Sequence, residues 1–320
     1  KILAFDRIVI QCHDHPDADA LASGFGLYSF LTAKGKAPRF IYSGRTPIRK
    51  PNLLKMIKNL GIPVEHDPVP GPVDGLLVTV DAQYGAGNIT HVPAAQVAVI
   101  DHHIKEIDLP ALSDLRPFLG SCSTLIWQLL VESGYRPGGP LATALYYGLF
   151  SDTGGNIQHP LDKDMWRNLN QAVDQQIIKS LLRSNLSLAD LTLAANALSA
   201  LEYYAVGRFV LVEVPPCDPN LLGFISDTAL QVDRVDIVVV FSPLLDGIKF
   251  SVRTATVDVN AATLAAWLAG KHGAGGGNEE KAGGLIDKAK FRAAYGGAMA
   301  LADFFAREMN SFLKAIRRSG

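Results

Sequence analysis

Short apolar, β-branched runs alternate with turn-forming clusters through the N-terminal third of the chain. The first run, Arg7-Ile8-Val9-Ile10-Gln11-Cys12, predicts a buried strand. It leads into His13-Asp14-His15-Pro16-Asp17-Ala18-Asp19-Ala20, and helix-like spacing follows from Ala20 to Tyr28, so the polar cluster is a strand-to-helix turn. Ala37 to Tyr42 predicts a second strand, and Asn52 to Leu60 a short helix ended by Gly61 and Pro63. The strand pattern Gly75 to Val80 runs into Asp81, and Gln96 to Ile100 runs into Asp101-His102-His103. Helical spacing over Ser123 to Glu132 and Leu141 to Phe150 closes in Ser151-Asp152-Thr153-Gly154-Gly155-Asn156. This alternation predicts an α/β fold with a parallel sheet, whose sites lie beyond the carboxyl ends of the strands.

A long helical stretch, Leu161 to Tyr204, follows, with a helix start expected at Ser187. Beyond it, strands are expected at Phe209 to Val214, Val235 to Phe241 and Gly247 to Arg253. Helices are expected at Pro219 to Gln231, Ala261 to Leu268 and Lys290 to Arg317. The expected fold is two-domain α/β: a parallel-sheet domain over residues 1–185, a helical connector over 186–206, and a smaller mixed α/β domain over 207–320, closing over a cleft.

Composition narrows the classes of function. At 48% hydrophobic and 19% charged, the 320 residues read as a globular protein rather than a disordered or fibrous one. Thirty Lys and Arg against 31 Asp and Glu leave no overall basic footprint for a long duplex nucleic acid. Cys12, Cys122 and Cys217 stand far apart, with no zinc-knuckle or disulfide spacing, which fits a reducing cytoplasm. No apolar stretch is long enough to cross a membrane, and no signal-peptide pattern opens the sequence.

Three predicted strands thus end in Asp or His. Imidazole with carboxylates is a hard, oxygen-rich ligand set suited to Mn²⁺ or Mg²⁺. Asp17 and Asp19, with one residue between them, can serve two neighbouring ions. The alternative is ordinary turn chemistry, in which an Asp before a helix, Asp19 first among them, is an N-cap. Asp101 has a supporting task open to it, accepting a ring N–H from a ligating histidine.

The order His-x-x-Pro-Asp-x-Asp, strand-ending Asp, Asp-His-His and Ser-Asp-Thr-Gly resembles the four motifs of the DHH phosphoesterases. That superfamily includes RecJ exonucleases, nanoRNase and pAp phosphatases, cyclic-dinucleotide phosphodiesterases and manganese-dependent pyrophosphatases. Lys249-Phe250-Ser251-Val252-Arg253 and Gly275-Gly276-Gly277-Asn278 with Gly283-Gly284 resemble the DHH-associated substrate domain of the RecJ and nanoRNase-like members. The resemblance implies a DHH catalytic domain with two Mn²⁺ ions, Mg²⁺ or Co²⁺ being alternatives. One ion is then held by His13, Asp17, Asp81 and Asp152, the other by Asp19, Asp81 and His102, with Asp81 bridging. His103 is implied as a donor to a substrate phosphate, and Asp101 as its support. Two ions about 4 Å apart suit in-line displacement at phosphorus, so Asp81, His102 and His103 are the expected catalytic residues.

The glycines Gly275, Gly276 and Gly277 can form an anion nest, and Arg253 can add a bidentate contact to the same phosphate. A surface loop is the plainer reading of the glycines. The family usually has His where this chain has Asn278, which keeps a donor but removes a charge. His15, His159 and His272 read as incidental loop histidines. The expected substrates are short oligonucleotides or small nucleotides, as for an oligoribonuclease or exonuclease. Cyclic dinucleotides and inorganic polyphosphate remain enzymatic alternatives, and a nucleotide sensor without turnover is the alternative from another class. No membrane partner is expected, and a homodimer is left open.

Overall fold

The computed structural model describes residues 1–296 and 299–319. The chain divides into two compact units, Lys1–Leu186 and Ser187–Gly320.

In the first unit the elements run β1 (Ile8–Gln11), α1 (Ala18–Ala33), β2 (Arg39–Tyr42), α2 (Pro51–Leu60), β3 (Val64–His66), β4 (Val73–Val80), β5 (Ala94–Asp101) and β6 (Leu112–Leu115). Four helices follow: α3 (Cys122–Glu132), α4 (Gly139–Thr153), α5 (Pro160–Leu169) and α6 (Gln175–Leu182). The six strands are parallel, in the order β3-β2-β1-β4-β5-β6. Chain direction along the sheet reverses between β1 and β4, and α/β sheets bind ligands in the crevice that such a reversal opens. The turns after β1 and β4 carry His13 to Asp19 and Asp81.

Helix α1 is apolar nearly all round because the sheet and α3 and α4 cover it. It keeps helical form despite Gly24 and Gly26, each a cost of about 1 kcal/mol. Burial of Leu21, Leu27 and Leu31 outweighs that, at about 1.5–3 kcal/mol each. The edge strands β3 and β6 are three and four residues long and lack a fully buried face, which hides them from a pattern search.

The stretch expected as one helical region from Leu161 to Tyr204 is four elements. Asp174 caps α6, and Ser187 with Asp190 forms a capping box at the start of α7 (Leu188–Ser199). Residues 186–206, expected as a connector, contain α7 and β7 (Glu202–Tyr204), and β7 is hydrogen-bonded into the second sheet beside β8 (Phe209–Glu213). The remainder is α8 (Pro219–Ala229), β9 (Ile237–Pro243), β10 (Gly247–Thr254), α9 (Ala261–Ala269), β11 (Gly273–Gly277), β12 (Lys281–Asp287), α10 (Lys288–Tyr295) and α11 (Leu301–Ser319). The sheet order is β11-β12-β10-β9-β8-β7, with β8 and β9 parallel and the other neighbours antiparallel. Its core is aromatic, built on Phe209, Phe241, Phe250, Phe304 and Phe305. The single helix expected from Lys290 to Arg317 is two, because Gly296 ends α10 at φ 74°; Gly297 and Ala298, within that expected helix, lie outside the described residues. Among the described residues no helix is long and apolar enough to cross a membrane.

The glycine run is strand β11, neither a loop nor a nest. Its extended residues pair with β12, Gly275 opposite Gly284 and Gly276 opposite Gly283, and extended backbone turns successive N–H groups to opposite sides. The reason for glycine is close approach: a Cβ on Gly275 would lie 2.3 Å from the Ala265 carbonyl oxygen of α9, whereas one on Gly276 meets nothing within 4 Å. Gly275→Ala is therefore expected to lower unfolding free energy by about 1–3 kcal/mol in urea titration. Gly276→Ala should stay within about 0.5 kcal/mol of wild type.

Candidate metal centre

The centre is assembled from three strand ends and the last turn of α4, which carries Asp152. After β1, Asp17 caps α1, its Oδ1 accepting from the Asp19 and Ala20 amides at 2.9 and 3.0 Å. Asp19 is fully buried and takes the Cys122 and Ser123 amides at 2.6 and 2.8 Å, so it caps α3, a helix distant in sequence. The partial positive charge of a helix start favours a carboxylate there. Gly148 of α4 makes room for this arrangement, since a Cβ there would meet Ser123 Oγ at 2.3 Å and Asp19 Oδ1 at 3.0 Å.

Asp81, at the end of β4, is 1% exposed and adopts φ 56°. This left-handed conformation is uncommon for a side chain other than Asn or Asp, and strain of this kind concentrates at functional sites. Its Oδ2 lies 3.7 Å from His13 Nε2, and its Oδ1 lies 3.4 Å from His102 Nε2 and 3.8 Å from His103 Nδ1. His102 Nδ1 sits 3.2 Å from the Leu119 carbonyl. A carbonyl only accepts, so Nδ1 carries the proton and Nε2 faces Asp81, Asp152 at 3.3 Å and Asp19 at 3.9 Å. Among the described residues, buried Asp81 Oδ1 and His102 Nε2 have no hydrogen-bond partner of good geometry.

His103, half exposed, gives Nδ1–H to Asp101 Oδ1 at 2.8 Å. Asp101 is held in turn by the His102 amide at 2.9 Å and by Gln83 Nε2 at 3.0 Å, while Gln83 also bonds Ile104 and Glu106. Asp14 latches the loop after β4 onto the first turn, accepting from the Thr90 amide and hydroxyl at 2.9 and 2.7 Å. The roles of Asp14, Gln83, Leu119 and the α3 amides leave no signal in the sequence, because each partner is distant along the chain.

Three overlapping donor groups result: His13 with Asp17 and Asp81; Asp81 with His102 and His103; Asp19 with His102 and Asp152. Asp152 falls in a group with His102 and Asp19, and its charge also reaches Asp17. His15 is exposed, and His159 caps α5 through Nδ1.

Crowding of carboxylates governs the electrostatics. Burial, then the Asp81 and Asp152 charges, pushes Asp17 up to about 6. Burial, then the same two charges, raises Asp19 well above the carboxylate range. Burial opposes ionisation of Asp81 too, but His102 and His13 outweigh it and hold its carboxyl below the usual value. Burial likewise disfavours charged His102, yet the facing Asp152 and Asp81 carboxylates push it up to about 12. Hydrogen bonding to Asp101 raises His103. Such a site favours divalent cations, which replace these protons. Burial, then the Asp81 charge, raises the Cys12 and Cys122 thiols, whose hydrogens point at the Ile41 and Ile100 carbonyls, so no thiolate enters the donor set. Imidazole with carboxylate fits Mn²⁺ or Mg²⁺.

The second-unit candidates lie apart from one another. Arg253 Nε bonds Asp227 Oδ1 at 2.6 Å, and its Nη1 bonds Ser251 Oγ at 3.0 Å. Strand β12 lies between Arg253 on β10 and Gly275 to Gly277 on β11, a separation of about 10 Å at ordinary strand spacing. The glycines and Arg253 thus stand on strands that are not neighbours. Asn278 Oδ1 accepts from the Glu280 and Lys281 amides at 3.1 and 2.7 Å, closing the β11–β12 turn.

Folded Asp17, with its pKa of about 6, retains a proton that an unfolded carboxylate near 3.8 has lost. Its contribution is present below the unfolded value and is lost as pH rises through the folded one. His102, raised from 6.5 to about 12, acts with the same sign in a higher window. In chelator, the melting temperature is expected to fall between about pH 4 and pH 8, and saturating Mn²⁺ should remove most of that fall. A melting temperature in chelator that rises over this window contradicts the carboxylate-crowding account.

Comparison with known proteins accords with this geometry. An uncharacterized protein of Methanocaldococcus jannaschii is 26% identical over 291 residues, 89% of this chain and 59% of that one. An uncharacterized protein of Mycoplasma pneumoniae is 24% identical over 157 residues, 48% of this chain and 46% of that one. The chain thus spans only about half the length of these relatives. The crystal structure of an exopolyphosphatase-related protein from Bacteroides fragilis superposes with a TM-score of 0.74, covering 98% of this chain and 94% of that chain at 21% identity, a likeness of fold. Residues 7–149 match the DHH family, N-terminal domain. That span holds the His13 to Asp19 turn, Asp81 and the Asp101-His102-His103 run, and Asp152 follows three residues beyond it: residues 7–149 match the N-terminal domain of the DHH family with these motifs in place.

Proposed function

We propose that the protein is a Mn²⁺-dependent hydrolase of phosphoester bonds in short oligonucleotides or small nucleotides. The observation that carries this reading is the sharing of Asp81 and His102 among three donor groups beside the β1–β4 reversal. His13, Asp17 and Asp81 are assigned to one ion, and Asp19, Asp81, His102 and Asp152 to a second. Bound divalent ions supply Lewis-acid charge to a phosphoryl group and lower the pKa of water at neutral pH.

The protein's own groups do the rest. His103 gives Nδ1–H to Asp101, whose carboxylate favours the doubly protonated ring, and in that form Nε2–H donates to a phosphate oxygen. The Leu119 carbonyl keeps the His102 ring turned so that Nε2 faces the carboxylates. Asp81 presents Oδ2 to His13 and Oδ1 to His102 and His103. The near-zero net charge favours small substrates over long duplexes.

The second unit is assigned to holding substrate. A pocket of about 380 Å³ there is lined by Lys249, Ser251, Arg253, Asp227, Phe224 and Gly283. Arg253 remains the candidate for an anionic group, although Asp227 already takes its Nε. The glycines Gly275 to Gly277 and Asn278 are assigned to shaping that sheet edge, not to binding.

The test is Mn²⁺-dependent hydrolysis of a 5′-labelled RNA dinucleotide. Wild type is expected to release mononucleotide and Asp81→Ala to be inactive. Asp101→Asn, which loosens the His103 ring, should lower kcat about 10- to 100-fold. An inactive wild type that still binds Mn²⁺ and nucleotide turns the reading towards a sensor. Cleavage of polyphosphate alone removes the nucleotide assignment.

A further inference from the structure

An aromatic pair lies where the loops at 116–121 and 154–159 meet, outside the donor groups of the metal centre. Phe118 is 61% exposed, and its ring centroid lies 5.2 Å from that of His159, tilted by 43°. Phenylalanine is ordinarily an interior residue, and Phe118 is not packed into the hydrophobic core of its unit.

Both loops are anchored at the centre. Leu119, the next residue after Phe118, is the one whose carbonyl orients His102, and consecutive Cα atoms are about 3.8 Å apart. Gly120 N donates at 2.9 Å to Asp162, a carboxylate 1% exposed on α5, which ties the first loop to the helix that follows the second. Immediately afterwards, the amides that start α3 grip Asp19. His159 lies in the loop that leads away from Asp152, and its Nδ1 is fixed on the Leu161 amide at 3.3 Å. An exposed ring is therefore held in place on the very loops that orient His102 and carry the chain away from Asp152.

We infer that Phe118, backed by His159, is a stacking platform for a nucleobase of the substrate whose scissile phosphate lies at the metal centre. Bases of any identity stack on aromatic side chains, so such a platform recognises nucleotides without selecting sequence. Inorganic polyphosphate has no π face to place there. The inference rests on the phosphoester-hydrolase reading and narrows it to base-bearing substrates.

The experiment measures KM for an RNA dinucleotide and for its abasic analogue, each with Mn²⁺, in wild type, Phe118→Ala and Phe118→Trp. Phe118→Ala is expected to raise the ratio of dinucleotide KM to abasic KM about 10-fold, and Phe118→Trp to restore it. An unchanged ratio overturns the platform and leaves the hydrolase reading standing. If wild type turns over neither substrate, calorimetric binding of non-hydrolysable methylenephosphonate versions decides. Affinity lost in Phe118→Ala only for the base-bearing compound supports the platform while the hydrolase reading falls. Equal or absent binding overturns both.

Discussion

Everything in the first unit answers to the cost of bringing several carboxylates together out of water. Asp19 and Asp81 are buried, Asp17 and Asp152 stand against them, and burial with the Asp81 and Asp152 charges raises Asp17 and Asp19. The fold offsets this with two kinds of positive group, helix-start amides and imidazoles. The start of α3 points two amides at Asp19, the start of α1 does the same for Asp17, and His13 and His102 face Asp81. A divalent cation completes the same compensation, which is why the site suits metal chemistry better than a purely structural ion-pair network. Two orphaned polar atoms, Asp81 Oδ1 and His102 Nε2, face that position.

The sheet order follows from the same requirement. Parallel strands deliver their carboxyl ends to one edge, and the reversal between β1 and β4 leaves room there between the strands that lead into the His13 to Asp19 turn and Asp81. Supports are recruited from further out: Asp14 ties the loop after β4 to the first turn, and Gln83 ties Asp101 to the segment behind it. These bonds fix ring and carboxylate orientation, and they set how sharply the site is organised.

In the second unit packing explains Gly275. Close approach of α9 to β11 leaves no space for a Cβ at Gly275, and the turn that follows is closed by the Asn278 side chain. The Arg253 guanidinium, the one charged group proposed for binding there, is already partly engaged by Asp227 and Ser251.

Much of this was legible in the residue order. The β-branched runs ending in Asp or His marked β1, β4 and β5, because period and run length are local properties. The same motifs pointed to the family, and the Ser187 capping box is likewise written within a few residues. What stayed hidden depends on contacts between distant segments. Asp19 as cap of α3, Leu119 as the partner that sets the His102 tautomer, and the grouping of Asp152 with His102 each join residues many positions apart. Strands β3, β6, β7, β11 and β12 were missed because a short or glycine-rich strand is held by its neighbours' hydrogen bonds, not by its own propensity. The sequence by itself determined which ligand types stand at which strand ends; the tertiary structure alone decided which of them share a site, because distance in space is not encoded in local spacing.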